Sequence, residues 1–139
     1  RDGRGLALAM ARALENANIP PGRVGYINAH GTGTVYNDAM EALAVKAVFG
    51  NAPPPISSTK GLTGHTLGAA GVLESVICLQ AMETGLLPGT AGLDIPDSAA
   101  PPSLLTAPCQ CPALDVALNV NSGFGGINAA ILFGSEAVA

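Results

Sequence analysis

The sequence VGYINA at residues 24–29, followed by HGTGT at residues 30–34, decides the class of fold. The first six residues are uncharged and mostly apolar, which predicts a short buried strand. The loop that follows is polar and contains two glycines, so the strand ends at Ala29. In α/β sheets, functional groups collect just beyond the carboxyl ends of the strands. We therefore expect part of a functional site in this loop.

The same arrangement recurs along the chain. ISSTK at residues 56–60 predicts a second short strand, which runs into a loop of glycine and threonine. Leu114–Val120 and Asn128–Phe133 predict a hairpin around the glycine-rich loop at residues 121–127. The proline-rich segment Pro88–Pro112 predicts an irregular connection.

Helices are predicted between these strands. Leu6–Asn16 contains strong helix formers, and Asn37–Phe49 opens with Asp38 and Glu41 at a spacing that suits capping. His65–Thr84 is apolar nearly all round, which predicts a long buried helix. Helices that alternate with strands, followed by a strand pair, predict an α/β layer with parallel crossovers.

The composition limits the kinds of protein that this chain can be. The chain has 139 residues, of which 48% are hydrophobic and 12% charged, so it is long enough for one domain with a core. Its net charge is −4 with only six Lys and Arg residues, too few for a nucleic-acid footprint. The most apolar stretch contains His65, Glu74 and Gln80, so a membrane span is not expected.

The cysteines indicate a reducing compartment. There are three, an odd number, and the chain opens without the apolar segment of a signal peptide, so a cytoplasmic location is expected. Cys78 lies in an apolar helix and is interpreted as a core residue. Cys109 and Cys111 lack further ligands at the spacing of a zinc site, so no metal is expected.

Both histidines of the chain follow predicted strands, in glycine- and threonine-containing loops. His30 and His65 are either structural, bonded to backbone carbonyls, or they provide two N–H donors to one developing negative oxygen. The second interpretation requires that both rings converge on one accessible cleft.

Lys60 and Glu74 form a second candidate group. Glu74 lies in the apolar helix, where a buried carboxylate requires a partner, and Lys60 precedes that helix. The sequence leaves open whether the pair is only structural or also sets the charge beside His65. Phe124 is likewise open to two interpretations, either core packing or a mobile gate in a glycine loop.

Three strings of sequence resemble the elongating β-ketoacyl-acyl-carrier-protein synthases of type II fatty acid synthesis and their polyketide relatives. The strings are YINAHGTGT at 26–34, SSTKGLTGHTLGAAG at 57–71 and NSGFGGIN at 121–128. The resemblance implies a thiolase-like α/β fold of five layers, αβαβα. It also implies that residues 1–139 form the C-terminal domain, and that the nucleophilic cysteine lies in an N-terminal half absent from this chain.

The resemblance further implies residue roles. His30 and His65 hold the malonyl thioester carbonyl and stabilise the enolate, while Lys60 pairs with Glu74 and tunes the surroundings of His65. Two threonines bind the phosphopantetheine arm, and two residues of the glycine loop belong to the acyl site, where the aromatic ring is the gate and its backbone N–H joins the oxyanion hole. These residues are Thr32, Thr34, Phe124 and Gly125. Ser122 and Ile127 depart from the family pattern, in which Phe and Thr are frequent at these positions.

The implied reaction is a decarboxylating Claisen condensation, in which malonyl-carrier protein extends an acyl group. No cofactor is expected, since the substrates arrive on acyl carrier protein. The expected partners are that carrier, the N-terminal half, and a second subunit in a homodimer or a ketosynthase-type heterodimer. The alternative is a non-catalytic subunit like the chain-length factors, which would act in dimerisation and pocket shaping. Retention of His30, His65 and Lys60 favours the enzyme.

Overall fold

The computed structural model describes residues 2–135, and the predicted helices and strands occur in the predicted order, with further short elements between them. The helices are α1 (Arg4–Asn16), α2 (Val35–Phe49), α3 (Lys60–Thr63) and α4 (Ala70–Thr84). The strands are β1 (Tyr26–Asn28), β2 (Ile56–Ser57), β3 (Leu86–Leu87), β4 (Cys109–Gln110), β5 (Val116–Ser122) and β6 (Asn128–Gly134).

The main sheet has four strands in the order β2-β1-β5-β6. β1 pairs in parallel with both neighbours, so that Ile27 lies opposite Ile56 and Leu118. β5 and β6 form the predicted antiparallel hairpin, with Val116 opposite Gly134. The α/β class, the parallel crossovers and the hairpin are therefore confirmed. Since β1, β2 and β5 are parallel, the loops that follow them leave the same edge of the sheet.

The sheet has two different apolar faces, because successive residues of a strand point to opposite sides. Ile27 and Leu118 join one core cluster with apolar residues of α1 and α2. Tyr26 and Ala117 join a second cluster with Cys78 of α4. The sheet therefore lies between α1 and α2 on one side and α4 on the other, and the core position predicted for Cys78 is confirmed.

The helix expected at His65–Thr84 begins later. A 3₁₀ turn at Leu67–Ala69 precedes α4, and Leu67 adopts a positive φ of 54°. An L residue with this backbone conformation interrupts a right-handed helix, so the regular helix starts at Ala70. His65 therefore lies in a turn rather than in the first turn of the helix.

The expectation that this helix is buried all round is wrong for the part of the chain that the structure describes. Glu74 and Cys78 lie on the side that packs against β5. Val72, Val76 and Leu79 are exposed on α4. Between Asp2 and Ser135, no helix is long and apolar enough to cross a bilayer.

Other predicted boundaries also change, most of them by one or two residues. The strand expected at 56–60 ends at Ser57, because Lys60 already begins the short helix α3. The segment expected to be irregular at Pro88–Pro112 contains β4, where Cys109 pairs with Leu87 of β3.

Candidate active site

The loops after β1 and β2 meet the end of β5 at one edge of the main sheet. His30 follows β1, Lys60 lies three residues beyond the end of β2, and Asn121 lies near the carboxyl end of β5. His65 joins them from the turn between α3 and α4. The parallel pairing of the three strands is what brings these side chains together.

The two histidine rings lie side by side, which is part of what the catalytic interpretation requires. Their centroids are 5.1 Å apart and the ring planes are at 85°, an edge-to-face arrangement. His30 is buried, whereas His65 is exposed. His65 also lines a cleft of about 730 Å³ that a substrate can enter, whereas His30 is not among the lining residues and lies behind His65.

The backbone of the His30 loop is held by α2. The N–H of His30 donates to Oε1 of Glu41 at 2.8 Å, and the N–H of Gly31 donates to Oε2 at 2.7 Å. The side chain of Asn37 donates to the same carboxylate at 2.7 Å. Glu41 therefore anchors the loop, and the predicted capping role is wrong: α2 begins after Thr34, and Glu41 lies nearly two turns further on, where it is buried.

Gly31 is required by the close approach of this loop to the β2 loop. Its φ is +39°, and a Cβ atom built there would lie 2.4 Å from the Cβ of Ser58. The Ser58 hydroxyl donates to the carbonyl of Gly31 at 3.0 Å. A side chain at position 31 would therefore separate two loops of the site.

Lys60 and Glu74 form the predicted buried ion pair. The Nζ of Lys60 donates to Oε1 of Glu74, and the two side chains are 5% and 2% exposed. The other carboxylate oxygen of Glu74 accepts from Nδ2 of Asn121 at 2.8 Å. Both the burial and the pairing are confirmed, since neither charge is left without a partner.

The two histidines differ in their hydrogen bonds. Nδ1 of His65 accepts from the backbone N–H of Leu67 at 3.2 Å, so a neutral His65 carries its hydrogen on Nε2. Nδ1 of His30 lies 3.1 Å from Oδ1 of Asn121. Burial lowers the pKa of His30, and the nearby charge of Lys60 lowers it further. His30 is therefore neutral at pH 7.

The two predicted arm-binding threonines both line the cleft. The hydroxyls of Thr32 and Thr34 are hydrogen-bonded to each other at 2.8 Å. Each hydroxyl keeps further donor or acceptor capacity, so both can bond to a polar chain that enters the cleft.

The structure does not bring Phe124 to the cleft. Its side chain is 100% exposed, and neither it nor Gly125 belongs to the lining residues. The loop is closed at its base, where the N–H of Gly123 donates to the carbonyl of Ile127 at 2.7 Å. Gly125 adopts φ +80°, which favours glycine. The gating role of Phe124 and the substrate role of Gly125 stay predictions.

None of the three cysteines lines the cleft. Burial raises the pKa of the Cys78 thiol to about 12, which leaves it un-ionised and unreactive. Cys109 and Cys111 lie in or beside β4, outside the main sheet. Within residues 2–135, no group of three or more His, Cys, Asp or Glu residues could hold a metal ion.

The comparisons with known proteins agree with this geometry. A family model described as "Beta-ketoacyl synthase, C-terminal domain" matches residues 1–94. The chain belongs to the β-ketoacyl synthase family. It is 40% identical over 139 residues to the mitochondrial 3-oxoacyl-[acyl-carrier-protein] synthase of Arabidopsis thaliana, a match that covers 96% of this chain and 30% of the relative.

Solved ketosynthase structures share the thiolase-like fold. One is described as the ishigamide ketosynthase/chain length factor, with a TM-score of 0.92, 32% identity, and coverage of 96% of this chain and 33% of that chain. Another is a type II polyketide acyl-carrier protein in complex with its ketosynthase bound to the hexaketide, with a TM-score of 0.90, 35% identity, and coverage of 96% and 33%. The chain thus spans about a third of the length of these relatives.

Asn121 is the site residue that sequence reasoning missed. The available signal was the pattern Asn119-Val120-Asn121 in an otherwise apolar strand. Residues i and i+2 of a strand share a face, so both amides lie on one side of β5. Asn119 donates to the carbonyl of Gly71 on α4 at 3.0 Å, which shows that this side faces α4.

Proposed function

We propose that this chain supplies the decarboxylation half-site of a 3-oxoacyl-[acyl-carrier-protein] synthase of fatty acid or polyketide biosynthesis. The observation that carries the proposal is the pair of histidine rings, 5.1 Å apart, beside the buried Lys60–Glu74 pair and a threonine-lined cleft. Lys60 and Glu74 hold a fixed charge pair next to a neutral imidazole, and the bond from Leu67 to Nδ1 leaves the Nε2–H of a neutral His65 as its donor.

The chemistry follows from where charge develops. When a malonyl thioester loses carbon dioxide, the electron pair of the broken C–C bond moves into the thioester and places negative charge on its oxygen. A donor fixed at that oxygen stabilises the transition state, and removing one such donor costs on the order of a hundredfold in rate. The enolate carbon then attacks an acyl thioester, which forms the new C–C bond and releases a thiolate.

The proposal includes partners outside this chain. The acyl thioester is carried by a cysteine in the N-terminal half, which packs on the exposed apolar side of α4 formed by Val72, Val76 and Leu79. Thr32 and Thr34 bind the phosphopantetheine arm of acyl carrier protein. The protein forms a homodimer or a ketosynthase-type heterodimer with a second subunit. It acts in the cytoplasm and uses no resident cofactor.

A chain-length-factor-like role is the competing function, because one structural neighbour is described as a ketosynthase/chain length factor. The test measures carbon dioxide release from malonyl-carrier protein and condensation product by the complete protein that contains this chain. We expect both activities. A protein that assembles with a ketosynthase but supports neither activity by itself would establish the non-catalytic role instead.

A further inference from the structure

His30 and His65 have different kinds of partner at Nδ1, and the partner decides which ring nitrogen carries the hydrogen. A neutral imidazole has one N–H and one bare nitrogen. His65 accepts at Nδ1 from a backbone N–H, and its donor is therefore Nε2. Nδ1 of His30 instead lies against the side-chain oxygen of Asn121, so in His30 the hydrogen belongs on Nδ1 rather than on Nε2.

The orientation of the Asn121 amide is fixed by Glu74. The Nδ2 of Asn121 lies 2.8 Å from a carboxylate oxygen of Glu74, and a carboxylate oxygen can only accept. Nδ2 also lies 3.3 Å from Oδ1 of Asn119, again an acceptor. A flipped amide would place its oxygen against both acceptors. Oδ1 of Asn121 therefore faces His30, and Nδ1 of His30 must donate to it.

We propose that Asn121 is a positioning residue that holds His30 in the Nδ1–H tautomer, so that His30 presents a lone pair at Nε2 while His65 presents an N–H. The kinetic consequences of this inference rest on the proposed function. The two histidines are then not two equal donors. His65 stabilises the developing oxyanion, and His30 accepts a hydrogen bond or a proton from a donor that approaches beside His65.

The surroundings of His30 keep its imidazole neutral, and only a neutral imidazole has two tautomers. The ring of His65 packs edge-to-face against that of His30, the charges of Lys60 and Glu74 act on it from nearby, and Glu41 binds its backbone N–H. Burial and the Lys60 charge lower the pKa of His30, whereas the bond to Asn121 and the Glu74 charge raise it. The balance keeps the ring neutral, with a single hydrogen that Asn121 places on Nδ1.

The direct test is the tautomer itself, measured by nitrogen NMR of histidine-labelled complete protein, with His30 assigned from a His30→Gln sample. We expect Nδ1 of His30 to be protonated in the natural protein, and this preference to be lost in Asn121→Leu. His65 should keep its hydrogen on Nε2 in both, because Leu67 sets its tautomer. A natural protein with Nε2–H on His30, or an Asn121→Leu variant that keeps Nδ1–H, would overturn the inference.

The pH profile of malonyl decarboxylation is the second test. Asn121→Leu should be slower on the order of a hundredfold, the scale of a misplaced catalytic group. The acid limb of its pH–rate profile should move to lower pH, because the variant lacks the hydrogen bond from Asn121 that raises the pKa of His30. Asn121→Asp keeps an acceptor at Nδ1 and adds negative charge, so its limb should move to higher pH.

Opposite shifts support the inference, and shifts in one direction for both variants contradict it. Ser75→Ala is the matched control, since Ser75 contacts Asn119 on the same face without reaching His30, and its profile should not move. If the complete protein releases no carbon dioxide, the proposed function fails, and the NMR measurement still decides the role of Asn121. If Asn121→Leu does not fold, the tautomers of the natural protein and of Asn121→Asp decide it.

Discussion

His65 owes its expected role to one backbone bond. The positive φ of Leu67 turns the chain so that its N–H meets Nδ1 of His65, and the opposite ring nitrogen is left to donate. In the complete protein, His65→Ala should therefore lower malonyl decarboxylation on the order of a hundredfold or more, while acylation of the nucleophilic cysteine is partly retained. The two steps are measured separately, as carbon dioxide release and as acyl-protein mass.

His65→Gln is the informative companion of this variant, because its amide still offers an N–H donor and should keep part of the activity. Full condensation by His65→Ala would show that the oxyanion is stabilised elsewhere.

Glu74 is expected to affect stability as well as rate. Glu74→Gln leaves the buried ammonium of Lys60 without a counter-charge, which should lower the free energy of unfolding by about 3 kcal/mol. A melting curve for the complete protein measures this loss. The control is Glu83→Gln on the same helix, since Glu83 is exposed and should change nothing. Unchanged melting of Glu74→Gln would contradict the buried pair.

The ion pair was predictable from the sequence, whereas Asn121 was not. A carboxylate in an apolar helix requires a cation, and a chain with six Lys and Arg residues leaves few candidates. The role of Asn121 depends on a carboxylate from α4 and a ring from the β1 loop meeting its two amide atoms. Only the tertiary structure brings those three elements together.

At the scale of elements, α2 controls the loop that carries His30. Burial raises the pKa of Glu41 to about 7, from an ordinary value of 4.5, against three hydrogen bonds that lower it. A carboxyl group with a raised folded-state pKa contributes stability that is complete below pH 4.5 and is lost as the pH rises through about 7. The protein should therefore become less stable across this window.

Glu41→Gln should remove that slope, which amounts to at most about 3.5 kcal/mol at about 1.4 kcal/mol per pKa unit. The measurement is the melting temperature of the natural protein and the variant at several pH values. Glu15→Gln, on an exposed position of α1, should keep the slope of the natural protein. Equal slopes for the natural protein and Glu41→Gln would show that Glu41 does not titrate in this range.

The errors in predicting the role of Glu41 and the burial of α4 have a common cause, because both depend on tertiary contacts that a local sequence pattern does not contain. Glu41 and Asp38 have the spacing of a capping arrangement, but Glu41 lies nearly two turns inside α2 and binds the backbone of the β1 loop. Hydropathy predicted a helix buried on all sides at 65–84, but a hydropathy pattern does not say which part of a protein covers which side. The strands of the main sheet and its hairpin were predictable, because their apolar runs and bounding glycines are local signals, whereas the two-residue strands β3 and β4 were not predicted.

At the scale of the molecule, the chain holds an expected oxyanion donor but no cysteine suited to acyl transfer. Cys78 is buried with a raised pKa, and the other two cysteines lie away from the cleft lining. Since the thiolate is the nucleophile, this chain expressed alone should show no condensation. Its cysteines should react with an acyl-carrier thioester no faster than a free thiol, as followed by protein mass, with circular dichroism to confirm folding.

The complete protein gives the matched experiment. A variant with Cys78→Ala, Cys109→Ser and Cys111→Ser should still be acylated at the natural rate, because the acylated cysteine lies outside residues 1–139 in the proposed function. Peptide mapping of the acyl-protein should place the acyl group on none of these three positions. An acyl group found on Cys109 or Cys111, or acylation abolished in the triple variant, would place the nucleophile within this chain. It would contradict the proposal that the acylated cysteine lies in the N-terminal half.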